Sequence, residues 1–141
     1  MELDLKGHLG LDFKIRTLRT SDRSRLLNVS VSGQYDKKTG PFLTMIVAAA
    51  LANALGPGIG LIFNASHLFY TGGDELLDWA YDARKALGDQ YLVAIVTSAQ
   101  NHEQILSLIA DLEFQAFDGF VCQSLSSVLS TIEGYRSQQP T

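Results

Sequence analysis

Apolar and polar residues alternate with period two along Leu11-Asp12-Phe13-Lys14-Ile15-Arg16-Thr17-Leu18, which predicts a strand with one wet face. After a polar turn around Asp22, Leu26 to Val31 predicts a second strand, with Leu27, Val29 and Val31 sharing a face. Gln34 to Gly40 is turn-like. Pro41 suits the first turn of a helix that runs to about Leu55 and closes at Gly56. Ile59 to Phe63 is a short apolar run, as expected for a strand covered on both faces, and Asn64 to Gly73 is predicted as loop. Asp74 opens a helix with acids early and Arg84 and Lys85 late, closed by Gly88. Tyr91 to Val96 is a third apolar strand. Asn101, with Gln104 three residues on, caps a helix through Leu112. Ala116 to Cys122 and Ser124 to Ile132 complete the chain as strand and helix. The order β-β-α-β-α-β-α-β-α predicts an α/β protein. Its single mixed, mostly parallel sheet should pack with about four helices and carry an antiparallel edge at the N-terminus.

Composition narrows the class. The 141 residues, 46% hydrophobic and 18% charged, suffice for one domain over 1–141, with a core at about 11–133 and a short polar tail at 134–141. Net charge is -4, but its distribution is uneven. Residues 1–40 carry eight Lys/Arg against five acids, and residues 74–141 carry three against ten. Pro41 to Gly73 carries no formal charge. The apolar stretch from Phe42 stops at Leu55, short of the ~20 residues a membrane span needs. An acidic chain argues against nucleic acid, and Met1 to Asp12 has no apolar run of the secretory kind. One cysteine, Cys122, fits a reducing, cytoplasmic setting.

Candidate chemistry is sparse. Gly56-Pro57-Gly58-Ile59-Gly60 precedes a strand and lacks the Gly-Lys-Ser/Thr of a phosphate loop, so it reads as a tight turn. Asp74, Asp78 and Asp82 recur at helical spacing, but an exposed acidic stripe explains them better than a metal face. His8, His67 and His102 show no zinc spacing, and Cys122 sits in an apolar context. No cofactor, metal or catalytic residue is expected. The helix from Pro41 is apolar on every side, which a surface helix should not be. Either other segments cover it, or its outer face, including Leu43, Ile46 and Ala50, mediates self-association in a homodimer.

Gly33-Gln34-Tyr35-Asp36, Phe63-Asn64-Ala65-Ser66, Phe117 to Val121 and Ser124 to Leu129 follow one another in an order that resembles a STAS domain, the module of anti-sigma factor antagonists and sulfate-transporter tails. Gly33-Gln34-Tyr35-Asp36 matches that family's Gly-x-apolar-Asp turn before the first helix. Phe63-Asn64-Ala65-Ser66 matches its apolar-Asp-x-Ser strand end, with Asn for Asp. Phe117 to Val121 and Ser124-Leu125-Ser126-Ser127-Val128-Leu129 resemble its C-terminal strand and helix, and the likeness spans about residues 11–133. The resemblance implies a non-enzymatic protein-binding domain whose partner is an anti-sigma factor kinase or a related regulatory protein. It also implies a switch loop over Ser66, Thr71, Gly72, Gly73 and Asp74. Counted without gaps from Asn64, Asp74 replaces the family's phospho-acceptor. In a register shifted by three, Thr71 is the acceptor, and Ser66 is a further candidate. An orphan scaffold lacking the switch is the alternative. Phe69-Tyr70-Thr71-Gly72-Gly73-Asp74 is also similar to the Phe-x-x-Gly-Gly-Asp segment of enoyl-CoA hydratases, where a backbone amide polarises a thioester carbonyl. That family's second glycine-rich segment does not follow Gly88.

Overall fold

The computed structural model describes residues 2–8, 10–19, 25–54, 60–73, 75–80, 92–111 and 121–137. Six strands form one sheet in the order β1-β2-β3-β4-β5-β6: β1 (Glu2–His8), β2 (Leu11–Arg19), β3 (Arg25–Gln34), β4 (Gly60–Phe69), β5 (Leu92–Val96) and β6 (Val121–Cys122). The β1–β2 and β2–β3 pairs are antiparallel, and the next three pairs are parallel. Among the described residues the helices are α1 (Gly40–Ala54), α2 (His102–Asp111) and α3 (Leu125–Ser137), with 78–80 also helical. This is the predicted mixed α/β sheet with its antiparallel N-terminal edge. Most of the helix expected from Asp74, and residues 116–120 of the last strand, lie outside the described residues.

Period-two patterning decides which face each strand residue serves. Leu11, Phe13 and Ile15 of β2 and Leu27, Val29 and Val31 of β3 enter the larger core. That core is closed by Leu43, Val47 and Ala50 of α1, by Leu76, Leu77 and Trp79, and by Ile105, Leu108 and Ile109 of α2. On the opposite face Leu26, Ile62, Ala94 and Val96 meet Val128 and Ile132 of α3. Cys122 packs against this second cluster as a half-buried apolar group.

Three differences from the sequence reading have physical causes. β1 precedes the first predicted strand, because Glu2–His8 pairs with β2 despite its interspersed charges. β4 runs to Phe69, so the predicted loop at Asn64 to Gly73 shrinks to residues 70–73. Its polar letters mislead: Asn64, Ser66 and His67 point away from a core that Ala65 and Leu68 still fill. The register shifts opposite Ser30 to Ser32, where Asn64 Oδ1 accepts from the Ser66 amide at 3.1 Å and the Ser66 hydroxyl at 2.7 Å.

The third difference concerns α1. Leu43 and Ala50 are buried in the core, and Ile46 is half-buried against it. They are not outward-facing. Among residues 41–50 the exposed positions are Pro41, Met45, Ala48 and Ala49, and of these only Met45, 58% exposed, is a large hydrophobic side chain. Leu43→Asp should therefore abolish the circular-dichroism melt by burying a charge. Met45→Asp should shift stability by no more than about 0.5 kcal/mol, and any assembly through α1 should dissociate in light scattering.

Candidate functional site

Residues 70–73 leave the carboxyl end of β4, where open α/β sheets present their ligands and partners. Thr71 and Gly72 are exposed and Gly73 is half-exposed. Gly72 and Gly73 have φ of 155° and 123°, a backbone that side-chain-bearing residues avoid. Both ends of this short loop are fixed. The Gln100 side chain grips Tyr70 twice, its Oε1 accepting from the Tyr70 amide at 3.1 Å and its Nε2 donating to the Tyr70 carbonyl at 3.0 Å. The Tyr70 hydroxyl then donates to the Gly73 carbonyl at 2.7 Å. Thr71 and Gly72 project between two anchored residues.

The neighbouring wall is the β3–α1 connection, residues 35–39. The Tyr35 amide donates to the Phe69 carbonyl at 2.9 Å, and the Tyr35 and Tyr70 rings meet edge-on at 5.3 Å. Asp36 builds the turn: its carboxylate accepts from the Lys38 amide at 2.8 Å, while its own amide donates to the Thr39 hydroxyl at 3.1 Å. Thr39 is buried and its carbonyl accepts the first α1 bond, from Leu43 at 2.8 Å. Asp36, Lys37 and Thr71 line one shallow hollow.

The Tyr35 hydroxyl is buried with no hydrogen-bond partner. Burial raises its pKa above the usual 10, and Tyr70 and the carboxylates of Glu75, Asp78 and Asp36 push it the same way. The sign follows. The folded protein keeps this proton where the unfolded chain would release it, so its contribution is complete below pH about 10 and declines above that. Tyr35→Phe removes an unsatisfied buried hydroxyl. It should leave neutral-pH stability unchanged or raise it by up to about 1–2 kcal/mol, and flatten the loss of stability above pH about 10 in urea titrations.

Of the predicted site residues, Thr71, Gly72 and Gly73 come together in this loop. Ser66 sits inside β4, with its hydroxyl committed to Asn64. Asp74 lies outside the described residues, as does Asp82. His67 is exposed on β4, whereas His102 opens α2 with its Nδ1 2.6 Å from the Thr97 hydroxyl, so these two serve different places. Sequence reasoning missed the residues that hold the loop: Tyr35, Tyr70, Gln100 and Asn101. Asn101 carried a visible signal as a cap, and its carbonyl does accept the first α2 bond, from Ile105 at 2.9 Å. Its side chain, however, reaches the Ala65 and Leu68 carbonyls of β4, both at 2.8 Å.

A six-stranded mixed sheet, with α1 and α2 on one face and α3 on the other, is the STAS-type fold that the motifs led us to expect. It is shared with the crystal structure of an anti-sigma factor antagonist from Mycobacterium paratuberculosis. That match has a TM-score of 0.58 and 22% sequence identity, and covers 84% of this chain and 94% of that one. No protein-family profile and no curated protein sequence matches the chain. Among the described residues, no helix is long and apolar enough to cross a membrane.

Proposed function

We propose that this chain is a regulatory binding protein of the anti-sigma factor antagonist type, without catalysis of its own. It docks an anti-sigma factor kinase, or a related regulatory protein, through the loop at residues 70–73. The observation that carries the reading is the exposed Thr71-Gly72 pair, held between the anchored residues Tyr70 and Gly73 at the carboxyl end of β4. Such a loop can present a surface without refolding. Thr71 is the proposed phospho-acceptor: its side chain is exposed, and a phosphate there would add about -1.5 to -2 charge beside Lys37 and Asp36. The setting is the cytoplasm, and self-association would use the Met45 face of α1.

The test begins with mass spectrometry of protein from the native host, which should find phosphate on Thr71. Thr71→Glu should then weaken binding to a co-purified anti-sigma factor at least about tenfold, roughly 1.4 kcal/mol, with the melting temperature unchanged. Unmodified Thr71, together with equal binding by Thr71→Glu and Thr71→Ala, would remove the switch from this reading.

A further inference from the structure

Among the described residues, α3 covers only part of its face of the sheet. Beyond the apolar patch under α3, the same face opens into a groove of about 440 Å³. Its floor is a polar row running strand to strand: Asp4 of β1 pairs with Lys14 of β2, Lys14 with Ser30 of β3, and Ser30 with Asn64 of β4. The row ends where Asn64 meets Val96 of β5, at the edge of the α3 patch. A second row follows, Asp12 beside Ser32 beside His67. Serine and asparagine are poor strand residues, yet here they occupy central strands whose other face is uniformly apolar. Local rules broken together in one place mark a functional surface more often than a packing one.

The chemistry of the floor selects a ligand class. Asn28, on the same face two residues before Ser30, is buried; its amide nitrogen reaches the Ser30 hydroxyl at 3.3 Å and its carbonyl oxygen has no partner. Two hydroxyls, one amide, two carboxylates, one ammonium and one imidazole line the groove, together with Phe13 and Val31. Lys14 is flanked by the carboxylates of Asp4 and Asp12, so the groove offers an anion no net attraction. Asp12 is further committed to the Gly7 amide at 2.7 Å. We propose that this groove binds a neutral, hydroxyl-rich small molecule, a sugar or polyol, its hydroxyls on the two polar rows. This site is separate from the loop at 70–73 and does not depend on the proposed switch.

The test is an amide-shift titration of the nitrogen-15-labelled chain with glucose and with myo-inositol, and separately with inorganic phosphate. Glucose or myo-inositol should give saturable shifts at Ser30, Ser32, Asn64 and His67 with a Kd of the order of 1 mM. The double variant Ser32→Val, His67→Val should bind at least about tenfold more weakly, while its urea midpoint holds or rises because valine suits a strand. If that variant does not fold, Lys14→Met, at an exposed position, should show the same loss. No saturable shift with either neutral probe up to about 50 mM, a response to phosphate alone, or undiminished binding by the folded variants would overturn the proposal.

Discussion

Gly33→Ala is expected to cost about 2–5 kcal/mol, a large share of the stability of a chain this size. Gly33 has φ of 113°, where a Cβ is strained whatever space surrounds it. Space is also missing: a Cβ at Gly33 would press into the Gly10 carbonyl, with that carbonyl's carbon and Leu11 Cα both at 3.3 Å. These obstacles are backbone atoms of the β1–β2 turn and cannot rotate away. The Gln34 amide donates to the same Gly10 carbonyl at 3.3 Å, so the turn is held where the clash occurs. Gly7→Ala provides the comparison, since Gly7 also has positive φ, 71°, but no atom within 4 Å of its Cβ position. It should cost only the strain, about 1 kcal/mol. Urea denaturation of both variants separates strain from close approach, and equal losses would show that the approach of Gly10 is not limiting.

Gly33 also shows what the sequence made legible. The Gly-x-apolar-Asp pattern at residues 33–36 was readable as a turn, but its first two residues close β3 and the turn follows them; its glycine answers to Gly10 and Leu11 at the β1–β2 turn, which no periodicity announced. Local signals performed well where one face decides the pattern, as in β2, whose alternation matches its burial from Leu11 to Ile15. They failed where polar residues lie on a partly covered face. Asn64, Ser66 and His67 look like loop because strands of a parallel sheet are usually apolar on both sides, and here, among the described residues, part of one side is open. The α1 helix misled in the opposite sense. Its all-round apolarity suggested an interface at Leu43, but alanine outside and leucine inside satisfy the same count of apolar letters. Position on the sheet, which is non-local, settles both cases. The loop at 70–73 was located by motif, whereas its anchors at Gln100 and Asn101 are about thirty residues away and leave no local trace.

Those anchors lead to the second large effect. Asn101 is fully buried and spends its side chain on three backbone groups: Nδ2 donates to the Ala65 and Leu68 carbonyls, and Oδ1 accepts from the Ser98 amide at 2.8 Å. The two carbonyls flank the irregular Ser66-His67 step of β4, where ladder pairing with β3 is interrupted. No substitute donor from a strand is available at such a step. Asn101→Ala should therefore cost roughly 3–5 kcal/mol, since each stranded buried group costs about 1–3 and the costs are not fully additive. Asn101→Asp separates hydrogen bonding from shape. At neutral pH its carboxylate would face two carbonyl oxygens with no proton to give, so it should be less stable than Asn101→Ala. Burial and those carbonyls raise its folded pKa above the unfolded value near 4. The native state then holds a proton that the unfolded chain has lost. Its deficit should accordingly shrink as pH falls towards about 4 and deepen as pH rises, the reverse of an ordinary paired aspartate. Urea midpoints of both variants across pH 4 to 8 test this, relative to wild type, within the range where reference carboxylates and histidines titrate. An Asn101→Asp deficit that stays constant over that range would show that the Asn101 site is wet and that the loop's support comes from elsewhere.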